Sequence, residues 1–232
     1  MADENIELEL YLIRHGESAS NAGIDTDMEE ELRADPPLSD KGKREAELLG
    51  EYFKDFPLDA LLSSGMRRTM HTANEVAIRQ PENGSQQIEV HKIFTECGTG
   101  EGSRNRSIEE IKKDIPAVIP AEGTDGTQTM FYSKGHTDAQ LLERGKEAIK
   151  YLRDRFHSGE KVMVVAHAAF NTFMLYAALG MSCEQIFDPS FFNTSITKII
   201  FFKEGTGSFG DVHLEYHNNV PHLIEEMPEF RF

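Results

Sequence analysis

Two short apolar runs constrain this chain most: Leu10-Tyr11-Leu12-Ile13 and Val162-Met163-Val164-Val165-Ala166. The first gives way to Arg14-His15-Gly16 and the second to His167, so each stops abruptly in polar residues. A continuous run of strand length, without a polar residue at every second place, reads as a strand buried on both faces. Such strands belong to parallel sheets covered by helices on either side. Open sheets of that kind place ligand sites beyond the strand C-terminal ends, which lie along one edge.

The rest of the chain supplies the alternation that this architecture needs. Strands are expected at Glu7–Ile13, Asp59–Ser64, Ile88–Phe94, Lys161–Ala166 and Ser195–Phe202, with an edge strand at Val212–Tyr216. Helical spacing of apolar residues marks Lys43–Phe53, Met66–Ile78, a short stretch around Ile108–Asp114, Asp138–Phe156 and Ala168–Leu179, the last closed by Gly180. Ser18 can cap a helix, so Ser18–Asn21 starts a helix or a loop, and Gly16 permits the turn before it. Ile24–Pro37 is acidic and reads as a surface loop or short helix. It is not a calcium loop of the EF-hand type, because Glu30 stands where the turn glycine is needed. Residues 103–136 lack clean periodicity and read as an insertion over one sheet edge, giving a lid or specificity region at about 98–140. The alternation of strand and helix says α/β with a largely parallel sheet, and residues 1–232 read as one domain. Val162–Met181 looks superficially like a membrane span. His167, Asn171 and Thr172 within it, and the change from β-branched to helix-like residues, favour strand, turn and helix.

Acidic residues outnumber basic ones by 40 to 24 in 232 residues, a formal net charge of -16. That argues against a general nucleic-acid or anionic-membrane binder. It leaves room for a small anionic substrate, since a few arginines make a local positive pocket. Cys97 and Cys183 do not make a disulfide framework. The polar, acidic opening residues do not resemble a leader, so a cytoplasmic protein is expected and the Asn83, Asn105 and Asn193 sequons are read as chance. Oligomeric state is left open.

The chemistry sits at the strand ends. Arg14-His15, Arg68 in the first turn of its helix, and His167 converge if their strands are parallel. Two imidazoles and two guanidiniums around one point form an anion site, and a phosphoryl group matches the bidentate forks of Arg14 and Arg68. Nothing in such a site needs a metal or a cofactor. Other phosphate chemistries fit poorly. A thiol phosphatase needs arginine six places after its cysteine, whereas Arg104 falls one place late of Cys97. The loop Gly98–Gly102 lacks the Gly-Lys-Ser/Thr of a P-loop, and the histidines are too scattered for a zinc hydrolase.

Arg14-His15-Gly16-Glu17, with Asn21 six residues after the histidine, resembles the signature of the histidine phosphatase superfamily, which includes the phosphoglycerate mutases. The resemblance extends through Pro37-Leu38-Ser39-Asp40-Lys41-Gly42, Ser64-Gly65-Met66-Arg67-Arg68 with Thr72-Ala73, Val164-Val165-Ala166-His167 and Asn193-Thr194-Ser195-Ile196. It implies a three-layer α/β/α sandwich around a mostly parallel central sheet, and a phosphomonoester hydrolase acting through a phosphohistidine on a small phosphorylated metabolite. His15 would be the nucleophile. Arg14, Arg68 and His167 would bind the phosphoryl oxygens, and Asn21 would assist. Glu96, after the third strand, sits where the family's general acid is expected, with Glu101 a nearby competitor.

The chain departs from the family pattern in places. Gly65 replaces the usual proline, which suggests a looser turn. Tryptophan is missing after Glu96. The mutase-like Glu-Arg-His-Tyr-Gly stretch is absent, and Ala168-Ala169 stands where mutases tend to have Gly-Asn. These last features favour a phosphatase. A mutase-type phosphotransferase and a catalytically silent phosphoester binder stay as the alternatives.

Overall fold

The computed structural model describes residues 4–98, 105–130, 136–185, 187–227 and 229. Its centre is β1 (Ile6–Arg14), paired in parallel with β5 (Glu160–Ala166) so that Leu12 faces Val164 and Arg14 faces Ala166. Parallel pairing continues outward through β2 (Ala60–Ser63), β3 (Ile88–Val90) and β4 (Val118–Pro120). On the other side β6 (Ile196–Phe202) runs antiparallel to β1, and β7 (Val212–Asn219) antiparallel to β6. The seven-stranded order is β4-β3-β2-β5-β1-β6-β7.

Strand periodicity of two divides the core between the faces. Leu8, Leu10, Leu12, Val162 and Val164 pack beneath α5 (Asp138–Arg155) and α6 (Ala168–Ala178) through Ala148, Leu152, Phe170 and Met174. Tyr11, Ile13, Met163 and Val165 pack on the opposite face, against α2 (Asp40–Phe53) and α3 (Arg67–Ala77) through Leu49, Phe53, Met70 and Val76. Helices therefore cover both faces of the sheet. No described helix is long and apolar enough to cross a membrane, and Val162–Met181 divides into β5, a turn at His167 and α6.

Local chemistry sets the element ends. Ser39 caps α2 by accepting from Gly42 N at 3.0 Å. Thr137 and Gln140 form a capping box at the start of α5. Gly180, at φ +66°, follows α6 as expected of a C-terminal glycine.

Several readings change. Ser18 caps no helix: it bridges to Leu38, and helix begins only at α1 (Glu30–Ala34). The strand expected to reach Phe94 ends at Val90, because His91 Nδ1 accepts from Ile93 N at 3.0 Å and turns Lys92–Phe94 into a single 3-10 turn. The region after it contains α4 (Ile108–Ile111) and then β4, a strand that the sequence does not announce. Gly16 is a glycine for closeness, not for φ. A Cβ there would lie 2.5 Å from Gly42 O, and one on Gly42 would lie 1.9 Å from Glu17 O. The loop after β1 thus rests directly on the first turn of α2.

Candidate active site

His15 continues the β1–β5 ladder by one step, its N donating to Ala166 O at 3.0 Å. Its side chain is 3% exposed. Nδ1 lies 2.7 Å from Gly16 O, and a carbonyl only accepts, so Nδ1 carries the hydrogen. Nε2 then holds a lone pair, and it accepts from Arg68 Nε at 3.1 Å. Burial first, then the Arg68 and Arg14 cations, hold His15 well below the usual histidine range. The ring is thereby favoured in its neutral form, with Nε2 as its lone-pair nitrogen because Nδ1–H is held by Gly16 O.

Arg68 is placed by α3, whose first backbone amide, Arg67 N, donates to Asp35 Oδ1 at 2.8 Å. Arg14 donates from one terminal nitrogen to Phe191 O at 2.7 Å, while its Nε has no partner among the described residues. Burial lowers both guanidinium pKa values, and Glu96 opposes that most in each case. Both remain cations.

His167 is completely buried at the junction of β5 and α6, its ring centroid 5.2 Å from that of His15. Nε2 lies 2.7 Å from Ser64 Oγ at the end of β2, and Nδ1 has no partner among the described residues. Burial, with Arg68 next, pushes His167 well below its ordinary range. Three neighbouring strand ends therefore carry Arg14-His15, Ser64 and His167.

Glu96 reaches the same cleft after the 3-10 turn. Its Oε1 accepts from Cys97 N at 2.8 Å and from Phe170 N at 3.2 Å. Burial raises its pKa above the usual carboxylate value, against those amides and the two arginines. Such a carboxyl holds a proton more readily than a surface glutamate does. Cys97 beside it is no thiolate, because burial pushes it up to about 12.

Asn21 lies at the mouth. Its Oδ1 accepts from Ser18 N at 3.2 Å and lies 3.0 Å from Ser18 Oγ, leaving Nδ2 uncommitted among the described residues. Arg14, His15, Asn21, Arg68 and Glu96 share one cleft of about 300 Å³, which Ser18, Ser20, Arg33 and Met66 also line. Glu101, the other candidate acid, lies outside the described residues. So do parts of the region read as a lid at 98–140.

The turn at Gly65 is not loose. A Cβ there would meet Thr129 O at 2.2 Å, so residues of the 105–130 segment press onto the glycine. That segment is also tied down by a buried ion pair, Arg106 to Asp35 at 3.2 Å.

Sequence reasoning named Ser64 only as part of the Ser64–Arg68 segment, without a role, and did not single out Arg33, Arg144 or Glu45. Arg144 Nη2 donates to Thr95 O at 2.8 Å and its guanidinium stacks 3.9 Å from the Phe170 ring centroid. Glu45 accepts from Glu17 N at 2.7 Å behind the His15 loop. Both sit at places where the helical apolar stripe calls for a hydrophobe, Arg144 between Leu141 and Ala148 and Glu45 between Gly42 and Leu49. That misfit was the available signal.

Comparison with known proteins gives a consistent picture. The family model of the histidine phosphatase superfamily (branch 1) matches residues 10–209. Phosphoserine phosphatase 1 of Hydrogenobacter thermophilus is 27% identical over 218 residues, spanning 92% of this chain and 90% of its own. A probable phosphoglycerate mutase GpmB of Salmonella paratyphi A is 34% identical over 229 residues, spanning 93% and 95%. Among solved structures, phosphoserine phosphatase from Entamoeba histolytica, in complex with 3-phosphoglyceric acid, superposes with a TM-score of 0.61 at 22% identity, covering 93% of this chain and 99% of that one.

Proposed function

We propose, for a chain that belongs to branch 1 of the histidine phosphatase superfamily, that it hydrolyses a small phosphorylated metabolite through a phosphohistidine. One observation carries the reading. The neutral His15 presents Nε2 beside Arg68 while Nδ1–H is fixed on Gly16 O. That is a nucleophile already in its reactive tautomer within an anion site.

In the first step Nε2 attacks phosphorus in line and the bond to the leaving oxygen breaks. Glu96, protonated at the outset, gives its proton to that oxygen, so a neutral alcohol departs. Arg14, Arg68, His167 through Nδ1, and Asn21 through Nδ2 take the equatorial oxygens, where charge accumulates in the transition state. Arg68 Nε exchanges its bond to His15 for one to the phosphoryl group as Nε2 commits its lone pair. In the second step the Glu96 carboxylate takes a proton from water, the water oxygen attacks phosphorus, and the N–P bond breaks to release inorganic phosphate and restore His15.

The reading invokes no metal and no organic cofactor, because two guanidiniums supply the positive charge. It also takes the enzyme as cytoplasmic, in keeping with free thiols at Cys97 and Cys183. Brief reaction with a radiolabelled phosphoester followed by denaturation should trap an acid-labile phosphoenzyme in the wild type and none in His15→Ala. Activity should persist in a chelator. Label retained by the variant removes His15 as nucleophile. With 3-phosphoglycerate and a bisphosphate primer, mutase turnover exceeding hydrolysis would replace the phosphatase with a phosphotransferase.

A further inference from the structure

Between β1 and α2 the chain carries Asp25, Asp27, Glu29, Glu30, Glu31 and Asp35, with Arg33 as the only basic residue among them. Surface arginines elsewhere take carboxylates readily, as Arg44 does with Glu226 and Arg153 with Glu7. Arg33, although surrounded by acids in sequence, forms no side-chain hydrogen bond or ion pair among the described residues. It lines the cleft that holds Arg14, His15, Arg68 and Glu96. It adds a third guanidinium to the lining of a cleft that already carries Arg14 and Arg68.

Its mounting is firm. Asp35, two residues on and 1% exposed, is gripped by Arg67 N and by Arg106. The end of α1 is thereby fixed to α3, the helix that positions Arg68. A side chain presented from a fixed backbone loses less freedom on binding than one from a mobile loop.

Resting on the phosphoryl site described above, we propose that Arg33 binds a second anionic group, carried on the leaving group of the substrate. Arg14, Arg68 and His167 are committed to the phosphoryl oxygens. Arg33 is exposed and lines the same cleft, with a fork that suits a carboxylate or a second phosphoryl group. The cleft, about 300 Å³, holds the volume of about ten waters. That admits a phosphoryl group and a short leaving group, so the second anion lies only a few bonds from the ester oxygen. The substrate class is a small phosphomonoester of an acidic alcohol.

Calorimetric titration tests this without turnover. The probes are propylphosphonate, 3-phosphonopropionate, which adds a carboxylate, and propane-1,3-diphosphonate, which adds a second phosphoryl group. Wild-type protein should bind at least one doubly anionic probe about tenfold or more tightly than propylphosphonate, a preference typical of one charge-assisted pair. The tighter of the two identifies the second anion. Arg33→Gln should bring the preference to within about threefold of unity and leave propylphosphonate nearly unchanged, while Arg33→Lys should keep part of it. A wild-type preference near unity, a preference that survives in Arg33→Gln, or an equal weakening of all three probes overturns the assignment. Absence of binding by every probe overturns it together with the phosphatase reading. A wild-type preference near unity, with propylphosphonate still bound and His15-dependent phosphate release intact, overturns only Arg33.

Discussion

Arg144→Met separates positioning from stability at Glu96, the proposed general acid. Arg144 is 4% exposed and touches the Glu96 segment at three points: Thr95 O at 2.8 Å, Cys97 Sγ at 3.8 Å, and the face of Phe170, whose amide donates to Glu96. Methionine fills much of the same space and removes the fork. The lost charged hydrogen bond is worth about 1.5–3 kcal/mol, and a desolvated stack about 2 kcal/mol. Against this stands the cost of burying the cation, visible in the lowering of its pKa by desolvation. Releasing that cost restores several kcal/mol, so the net change in unfolding free energy should stay within about 2 kcal/mol. Catalysis has no such compensation. A displacement of the carboxyl by about 1 Å costs on the order of 10²-fold in rate. That loss falls on substrates whose leaving oxygen needs a proton. Urea unfolding, with kcat/KM for glycerol 2-phosphate and for 4-nitrophenyl phosphate, reads both effects. About 100-fold loss on the alkyl ester and less than about fivefold on the aryl ester are the expected pair. Equal losses on both esters, or an activity loss that follows the unfolding midpoint, refute the positioning role.

Glu96→Gln should lower kcat/KM for alkyl phosphates by about 10²–10⁴-fold, and for nitrophenyl phosphate far less. On the proposed mechanism the first half-reaction needs neutral His15 and protonated Glu96. With His15 lowered and Glu96 raised, the rate climbs as pH rises through the His15 range and falls as pH rises through the Glu96 range, giving a bell-shaped profile. A pH profile of the Glu96→Gln variant that keeps the falling limb of the wild type would assign that limb to another group. Glu45, buried and raised to about 7, should make the fold pH-sensitive. A carboxyl raised in the folded state contributes stability that is full below its ordinary value near 4.5 and lost as pH climbs through about 7. Thermal unfolding of Glu45→Gln should lack that decline, worth up to about 3 kcal/mol, and an unchanged slope would remove Glu45 as its source.

What could be read from the sequence followed from local rules. The apolar runs ending at His15 and His167 announced buried strands, and parallel pairing brought their ends together. Arg68 was placed by a single helical turn after Gly65. The three-residue strand β4, ending at Pro120, is too short to show alternation, and only its pairing with β3 makes it a strand. His91 stopped β3 through a side-chain bond that composition does not reveal. Arg33 was hidden because an acidic run, read as a whole, becomes a solvated face. Its isolation from those acids is a property of three-dimensional placement. Gly16 and Gly65 were recognisable as special, but the cause in both is the close approach of a distant backbone.

The contact between Gly65 and Thr129 has a consequence for engineering. Segment 105–130 is not a detachable module on this scaffold, since its seat is carved from the turn that leads to Arg68. Grafting the segment onto a relative with proline at that turn would present a ring where Thr129 O must lie. The graft would also strand Arg106 unless an acid equivalent to Asp35 travelled with it. Recombination between members of the family should therefore exchange these positions as a block, and chimaeras cut between Asp35 and Thr129 should be the ones that fail to fold.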